Sequence, residues 1–328
     1  MKTAAKVSMS LSAGSLVPSQ APALPVSVSV VDPSADATLA RAGGRLAAFV
    51  ALTKPRITVM VLVTAATGFL LGARGSSHPP TLLLTMLGTG LVAGGASTLN
   101  QLLERHRDAR MRRTANRPLP SGRVTPAEAA IFGTALSVLG LAILAYYANP
   151  TSAAVALTTL LLYVFVYTPL KPVTTLNTAI GAIPGALPPV IGWAAGTGRL
   201  GVEAWALFLI VFLWQFPHFL AIAWIYRDDY ARGGHKMLPS VDPCGRMTGR
   251  QSVLHALALL PAGLLPTAVG LAGSLYFVGA LALGLFYLTY SARFWADVND
   301  RTARALLRSS FLYLPAVLAL LLLNPLPA

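Results

Sequence analysis

Charged side chains are scarce in this sequence, and their scarcity excludes an ordinary water-soluble domain. Only 11% of the 328 residues are Asp, Glu, Lys or Arg, whereas a soluble domain carries about 25%. Apolar residues make up 55% of the chain, and the mean hydropathy is +0.64. Because so little polar sequence cannot cover so much apolar sequence in water, lipid is the predicted solvent for most of the chain.

Cysteine is nearly absent, and acidic residues are far fewer than basic ones. Cys244 is the only cysteine, which excludes an intramolecular disulfide and a cluster of thiolate ligands around a metal. The net charge of +14 would suit nucleic acid, but the basic residues lie in short segments between apolar runs. That distribution is typical of loops that meet anionic lipid, so a lipid bilayer, and not nucleic acid, is the predicted partner.

An unbroken apolar run is also missing from the first 45 residues. Prolines interrupt the apolar stretches there, as at Val17-Pro18 and Leu24-Pro25. Without a continuous hydrophobic region before a small-residue cleavage site, we predict no signal peptide. Residues 1–45 are predicted to be a disordered cytoplasmic tail, and residues 46–328 to form a membrane domain.

Beyond the tail, apolar runs of about 17–22 residues recur, each long enough to cross a hydrocarbon core of about 30 Å. They lie near residues 57–73, 81–100, 127–147, 152–168, 177–195, 203–224, 252–272, 274–291 and 306–323. The expected fold class is all-α, a polytopic membrane protein with nine transmembrane helices around a central cavity. Acidic loops after the second and sixth runs, and basic loops after the fourth and eighth, indicate two pseudo-repeated four-helix halves.

The basic residues also predict the orientation in the membrane. If the helices alternate in direction, all but two of the 25 lysines and arginines fall on one side, and the exceptions are Arg74 and Arg199. Of the 11 acidic residues, only Glu203 falls on the opposite side. Because loops rich in Lys and Arg stay in the cytoplasm, we predict a bacterial inner-membrane protein whose N-terminus and polar loops are cytoplasmic.

Asn100, Glu104 and Asp108 follow one another at intervals of four residues where the second apolar run ends. On a helix they would form one stripe that drifts by about 40° per step. Such oxygen-bearing side chains can hold Mg²⁺, which takes one or two carboxylates together with substrate phosphates. The alternative is an interfacial helix end, on which Glu104, Asp108 and Arg112 form ion pairs.

Several arginines follow this stripe, among them Arg113 and Arg117. Guanidinium groups match the oxygens of a diphosphate, so these arginines are candidates for substrate binding. The alternative is that they anchor the chain at the lipid interface. We predict substrate contact chiefly for the Asn116-Arg117-Pro118 segment.

Three further segments carry polar residues beside or inside apolar runs. Residues 226–239 contain Asp228 and Asp229, which are costly at a helix end unless they are solvated or bind metal. Lys171 is the only charge in its loop, where it would meet a phosphate or anchor a helix at the interface. His218 lies inside the sixth run, where a histidine either serves function or makes an interhelical hydrogen bond.

These segments together resemble the intramembrane aromatic prenyltransferase superfamily. The features that carry the resemblance are Asn100 with acids at positions 104 and 108, followed by Arg-Pro-Leu-Pro at 117–120. Within the superfamily, the chain is similar to the subgroup that farnesylates haem, the haem O synthases. That likeness rests on Met-Arg-Arg-Thr at 111–114, on Trp-Gln-Phe-Pro-His-Phe at 214–219, and on the Gly-Gly and Met-Leu-Pro of residues 229–239. It covers about residues 45–325.

The resemblance implies a farnesyltransferase that uses Mg²⁺ and takes farnesyl diphosphate and haem B as substrates, with haem B not a prosthetic group. The farnesyl carbon would join a vinyl group of haem, and water would complete the side chain of haem O. Haem A synthase or oxidase assembly proteins would be its protein partners. The implied catalytic residues are Asn100, Glu104, Asp108, Lys171 and Asp229, and all of these except Lys171 would bind metal. The implied substrate-binding residues are Arg113, Asn116, Arg117, Tyr167, His218, Asp228, Arg232 and Lys236.

Two other functions remain open at this point. One is prenyl transfer to a quinone precursor or another aromatic acceptor by a member of the same superfamily. The other is a membrane cation transporter, although transport paths place acids deep in the span, and here the acids cluster at helix ends. The sequence also departs from the superfamily pattern at two positions. Ile225 stands where an acid four residues before Asp229 is usual, and Glu104 stands where aspartate is common.

Overall fold

The structure, a computed structural model, describes residues 44–74 and 79–326. Apart from its last two residues, the predicted tail 1–45 lies outside the described residues, so its disorder stays a prediction. The described residues are largely helical and contain no β-strand, only one isolated bridge between Ala272 and Pro325. Nine of the described helices are long and apolar enough to cross a membrane, which confirms the predicted all-α polytopic class.

The spanning helices follow the predicted apolar runs to within a few residues at most of their ends. They are α1 (Pro55–Ala73), α2 (Pro79–Asp108), α3 (Pro126–Ala148), α4 (Pro150–Leu170), α5 (Asn177–Thr197), α6 (Val202–Ile225), α7 (Arg246–Ala268), α8 (Ser274–Ala296) and α9 (Asp300–Leu323). Short helices at Arg45–Leu52, Arg227–Arg232 and Leu238–Val241 lie between them or ahead of α1. The main difference is α2, which continues about two turns past its apolar run.

Two spanning helices contain wider π-helical turns, and a third is broken. Residues Leu144–Ala148 end α3 in a π-helical turn, and Leu162–Tyr167 form another within α4. The two halves of α5 meet at Leu187, ahead of two successive prolines. Proline lacks the amide hydrogen that a continuous helix needs, which explains the break.

The first helices of the two predicted halves, α1 and α5, pack closely against each other. A Cβ atom on Gly68 would lie 2.0 Å from the carbonyl oxygen of Pro189, and one on Gly192 would lie 1.8 Å from that of Ala65. Only glycine allows two helix backbones to approach this closely. This contact therefore joins the two halves in the middle of the bundle.

The middle of the bundle is formed by α5 and α6, in which 67% of the residues in the membrane-spanning stretch are buried. In α3, α4 and α8 only 28% are buried. α6 packs against α5, α7 and α9. The exposed apolar side chains of the outer helices, such as Ile131, Phe165 and Phe311, suit a lipid surface. The polar ends of α2 and α6 meet at one end of the bundle, and they form the site described next.

Candidate active site

The stripe predicted at the end of α2 is present and buried. Asn100, Glu104 and Asp108 expose only 1%, 4% and 0% of their surface, and all three line one polar cavity of about 70 Å³. Their burial follows from the continuation of α2, which carries them beyond the apolar run without interrupting the helix. The spacing argument is thus confirmed for their shared face. The alternative of an interfacial helix end is met in part, because Glu104 and Asp108 do form ion pairs, although not with Arg112.

Each of the three side chains has its own cationic partner. The Lys54 ammonium donates to Asn100 Oδ1 at 2.9 Å. Lys171 Nζ lies 2.7 Å from Glu104 Oε1. Arg117 Nη1 donates to Asp108 Oδ2 at 2.7 Å, where the sequence alternative had Arg112 as the partner. Because a buried charge is costly without a counter-charge, these pairings let the cavity hold both signs.

Lys54 was not predicted as a site residue. It precedes Pro55 at the start of α1 and has the left-handed backbone angle φ of 49°, which is uncommon for a residue with a side chain. This geometry directs a lysine from outside the apolar runs into the cavity. Burial, followed by the charges of Arg117 and Lys171, lowers the pKa of Lys54 to about 7. In the sequence, the one sign of this placement is that Lys54 directly precedes Pro55. The charge pattern alone identifies Lys54 only as a basic residue near a membrane helix.

The second polar segment contributes Tyr230, His235 and Met237 to the cavity lining, and neither of its acids. His235 follows Gly233 and Gly234, and the positive φ of 70° at Gly234 turns the chain back toward the cavity. The imidazole is 4% exposed, and its Nδ1 has no hydrogen-bond partner. Burial lowers the pKa of His235 to about 4, so the ring is neutral at pH 7. Gly233 faces Met111 so closely that a Cβ would lie 2.9 Å from its side chain.

Asp229 is buried, but it contacts the first polar loop and does not line the cavity. Its carboxylate accepts hydrogen bonds from the backbone N–H groups of Arg112 and Arg113, each at 3.2 Å. It also pairs with Arg232 one helical turn later. Burial opposes ionisation, but the Arg232 guanidinium and the two amides outweigh it and hold the pKa of Asp229 below its usual range. Asp229 thus fastens the loop after α6 to the loop after α2.

Cation–π contacts between basic side chains and tyrosine rings occur around the cavity. The Arg113 guanidinium lies 4.8 Å from the ring centre of Tyr226 and 5.4 Å from that of Tyr230. Its Nη2 also donates to the Tyr230 hydroxyl at 3.2 Å. In a second such contact, Lys171 Nζ lies 4.6 Å from the ring centre of Tyr167. Such contacts fix the directions of the long side chains.

The structure brings some predicted site residues together and keeps others apart. The predicted residues that line the cavity are Asn100, Glu104, Asp108, Arg113, Arg117, Tyr167 and Lys171. The predicted residues that do not line it are Asn116, His218, Asp228, Asp229, Arg232 and Lys236. The cavity-lining residues that stand outside the predicted site set are Lys54, Met111, Thr114, Tyr230, His235 and Met237.

Some of the residues outside the cavity have clear structural contacts. The backbone N–H of Lys236 donates to the carbonyl of Lys171 at 2.8 Å, so this residue holds the Lys171 loop in place. His218 Nδ1 lies 2.7 Å from the Ser310 hydroxyl on α9, and its ring stacks on Trp214. The interhelical hydrogen bond that we had kept as the alternative for His218 is therefore present.

The side-chain oxygens of Asn100, Glu104 and Asp108 in the cavity are suitable ligands for a magnesium ion. The described residues contain no cluster of three His, Cys, Asp or Glu side chains, so a dedicated all-protein cage is absent from that part of the chain. Mg²⁺ does not require such a cage, because one or two carboxylates with substrate phosphates and waters suffice. Asp108 Oδ1 is buried without a hydrogen-bond partner, and an oxygen in that state is suited to receive a cation. Glu104 and Asn100 lie one and two turns before it on the same face of α2.

Sequence comparison defines the class of protein. Residues 61–322 match the model of the UbiA prenyltransferase family, and the chain belongs to this family. Several relatives carry the name Protoheme IX farnesyltransferase. The one from Solibacter usitatus is 48% identical over 285 residues, which is 84% of this chain and 98% of the relative. The one from Salinibacter ruber is 46% identical over 276 residues, again 84% of this chain and 98% of the relative.

Structural comparison agrees on the fold. A structure described as a digeranylgeranylglyceryl phosphate synthase superposes with a TM-score of 0.72 at 17% identity, over 85% of this chain and 98% of that one. A UbiA homolog from Archaeoglobus fulgidus, bound to GPP and Mg²⁺, superposes with a TM-score of 0.61 at 17% identity, over 84% of this chain and 99% of that one. At such identities the likeness establishes the helical architecture that the two proteins share with this chain.

Proposed function

We propose that this chain transfers a farnesyl group from farnesyl diphosphate to a vinyl group of haem B and so forms haem O. The observation that carries the proposal is identity of 48% and 46% to two proteins named Protoheme IX farnesyltransferase, over nearly their whole length. The cavity supports the diphosphate half of the reaction, because it combines four basic side chains (Lys54, Arg113, Arg117 and Lys171) with three oxygen ligands. Those features are what departure of a diphosphate needs.

In the first step, the bond between farnesyl C1 and the diphosphate oxygen breaks, and pyrophosphate leaves with the electron pair. Lys54, Arg117 and Lys171 are placed to neutralise the charge that develops on that oxygen. Mg²⁺, held through Asn100, Glu104 and Asp108, would supply Lewis-acid stabilisation of the same leaving group. For this to happen, the three cations must exchange their present side-chain partners for phosphate oxygens.

In the second step, the terminal carbon of the haem vinyl group forms a bond to farnesyl C1. The positive charge moves to the vinyl carbon next to the porphyrin ring, where a water oxygen adds and releases one proton. The product carries a hydroxyethylfarnesyl side chain, and atoms and charge balance against pyrophosphate and the proton. This order of events requires that bulk water be kept from the first cation, and the burial of Asn100, Glu104 and Asp108 supports such exclusion.

We further propose that the cavity faces the cytoplasm of a bacterial inner membrane, as the distribution of Lys and Arg predicts. His218 stays our candidate for orienting haem, since it is a histidine deep in a spanning helix. Its hydrogen bond to Ser310 then serves to fix the ring. Haem A synthase or oxidase assembly proteins, as users of haem O, are the partners that this activity would imply.

The test is direct. Purified protein receives haem B, farnesyl diphosphate and Mg²⁺, and the products are identified by mass spectrometry; a second reaction contains EDTA. We expect farnesylated, hydrated haem only when Mg²⁺ is present. Prenylation of a benzoate or naphthoate acceptor without any haem product would overturn the haem assignment in favour of another acceptor. Passage of Mg²⁺ or protons across liposomes without prenyl transfer would instead identify a transporter.

A further inference from the structure

A groove separate from the active-site cavity lies where α8 and α9 join. It has a volume of about 270 Å³ and is lined from the α8 side by Tyr290, Arg293 and Asp297. From the α9 side it is lined by Arg301, Thr302 and Ala305. None of these six residues lines the active-site cavity.

The groove opens at the same end of the bundle as the active-site cavity. Arg227, in the polar segment after α6, donates from Nη1 to Asp300 Oδ1 at 2.9 Å, and Asp300 is the first residue of α9. Since the segment after α6 also supplies Tyr230 and His235 to the cavity, the two features share one membrane surface.

Asp300 neutralises two of the arginines around this junction. It pairs with Arg227 at 2.9 Å and with Arg304 at 3.4 Å. Arg293 and Arg301 have no carboxylate partner among the described residues, and both are exposed. The arginines that face the groove are therefore the two whose charges remain available.

The other polar residues of the groove do not cancel this charge. Asp297 is its one acid, and the Asp297 carboxylate accepts a hydrogen bond from Asn299 Nδ2 at 2.6 Å. The Arg293 guanidinium lies 5.5 Å from the ring centre of Tyr290, which restricts its direction. Two unpaired guanidinium groups against one carboxylate leave the groove with a net positive charge, as an anion site requires.

The positive surface continues along α9 into the membrane-spanning part. Arg301, Ala305, Arg308 and Leu312 follow at helical spacing and so lie on one stripe. Arg308 is exposed and has no carboxylate partner among the described residues. It lies about 12 Å along the helix from Asp300, which places it within the spanning part of α9. An unpaired arginine inside a spanning segment is costly unless its charge meets an anion at the interface. Leu312, one turn deeper, is 56% exposed.

We propose that the groove between α8 and α9 binds the phosphate headgroup of an anionic glycerophospholipid. Arg301 and Arg308 contact the phosphate from α9, and Arg293 contacts it from α8. Tyr290 lies where aromatic side chains commonly meet the headgroup layer. The acyl chains run along the stripe toward Leu312.

A lipid fits these observations better than a soluble phosphate. The stripe changes from charged to apolar in the direction of the hydrocarbon core, which matches a molecule with a phosphate at one end and a chain at the other. A free anion in the groove would contact only Arg293 and Arg301 and would leave Arg308 without a partner.

The experiment measures lipid retention by the full-length protein in nanodiscs and by native mass spectrometry after mild detergent extraction. Nanodiscs contain phosphatidylglycerol in a phosphatidylcholine background, or phosphatidylcholine alone. The test variants are Arg301→Gln and Arg308→Gln. The matched control is Arg304→Gln, which removes the same charge from an exposed side chain on the same helix. Arg304 differs from the test residues because it is paired with Asp300. Melting temperature in detergent verifies that each variant is folded.

We expect each test substitution to weaken phosphatidylglycerol retention about fivefold, and the control to change it less than twofold. Equal losses in Arg301→Gln and Arg304→Gln would mean that general surface charge attracts the lipid, and would overturn the site. Equal retention of phosphatidylcholine would also overturn it. A third arm adds inorganic phosphate, and displacement of phosphatidylglycerol at comparable concentrations would show that the groove takes a free anion instead of a lipid.

Discussion

The polar segments after α2 and α6 occupy corresponding places in the two predicted halves, yet their acids do different work. The segment at the end of α2 turns Asn100, Glu104 and Asp108 into one cavity. The segment after α6 turns Asp229 toward the backbone of the other loop, where both of its oxygens are already used. Asp108 differs from Asp229 in that one of its oxygens, Oδ1, has no hydrogen-bond partner and is free to receive a ligand.

We infer from this difference that one half of the molecule binds the diphosphate and its metal (the binding half), whereas the other half holds the polar loops together (the bracing half). A carboxylate that accepts two backbone amides and an arginine is well satisfied, and recruiting it to a metal would break those contacts. The Ile225 position agrees, because the second segment has no acid one turn before Asp229 to complete a ligand pair. The second segment contributes His235 and Tyr230 to the cavity instead.

The largest effect is expected when the charge of Asp108, the carboxylate with one unpartnered oxygen, is removed from the binding half. Asp108→Asn keeps the size of the side chain but removes the charge from the one unpartnered oxygen, and we expect a loss of about 10³-fold in kcat/KM. The exposed acid of the bracing half, changed in Asp228→Asn, is the matched control and is expected to stay within about twofold of the parent enzyme. A comparable loss in both variants would refute the division between the two halves.

A smaller loss is expected for the cation that faces Glu104. Lys171→Met removes an ammonium that we place against the diphosphate, and we expect kcat to fall about 10²-fold. Lys236→Met removes the same charge from an exposed side chain whose backbone, not its ammonium, contacts the Lys171 loop. Steady-state kinetics on both variants should show a large drop only in the first. Equal activity of the two would contradict the role of Lys171.

Asp229→Asn sharpens the comparison, because it separates bracing from metal binding. Losing its charged contacts to Arg232 and the loop amides should cost about 1–3 kcal/mol of stability and lower activity about tenfold. The Mg²⁺ concentration for half-maximal activity should not change. If that concentration instead rose tenfold or more while the melting temperature stayed constant, Asp229 would be a metal ligand and the two halves would be equivalent.

The smallest effect is expected for the pH dependence of stability, which depends on the neutral imidazole of His235 in the cavity. The pKa of His235 is about 4 in the folded protein against an ordinary value of 6.5, so the unfolded chain binds the extra proton between these values. Stability should therefore fall as pH drops below about 6.5, by about 2 kcal/mol at pH 5. His235→Gln should flatten this dependence, measured as melting temperature in detergent at pH 7.5 and pH 5. An unchanged pH dependence would show that His235 is solvated.

The architecture was largely predictable because membrane helices are specified locally. An apolar run of sufficient length can only be a helix in lipid, and the charges of its flanks give its direction. The stripe on α2 was predictable for the same reason, since spacing of four residues on a helix is a local property. The tail at residues 1–45 and the domain boundary remain predictions, because they fall largely outside the described residues.

The contacts of Asp229 and Lys54 could not be predicted in this way. Asp229 meets Arg112 and Arg113 across more than a hundred residues of chain, which depends on how α2 and α6 pack. Lys54 reaches Asn100 because the backbone before Pro55 adopts a left-handed angle, and the charge pattern carries no information about that angle. Both contacts join segments that are far apart in the sequence, so neither could be found by treating each polar segment separately.

The most direct measurement is the anomalous signal of Mn²⁺ in crystals of the protein grown with a non-hydrolysable farnesyl diphosphate analogue. The division into a binding half and a bracing half predicts an ion about 2.1 Å from an oxygen of Asp108. It also predicts that the Asp229 carboxylate remains on the amides of Arg112 and Arg113, away from any ion. An ion ligated by Asp229, with those two hydrogen bonds broken, would contradict the account.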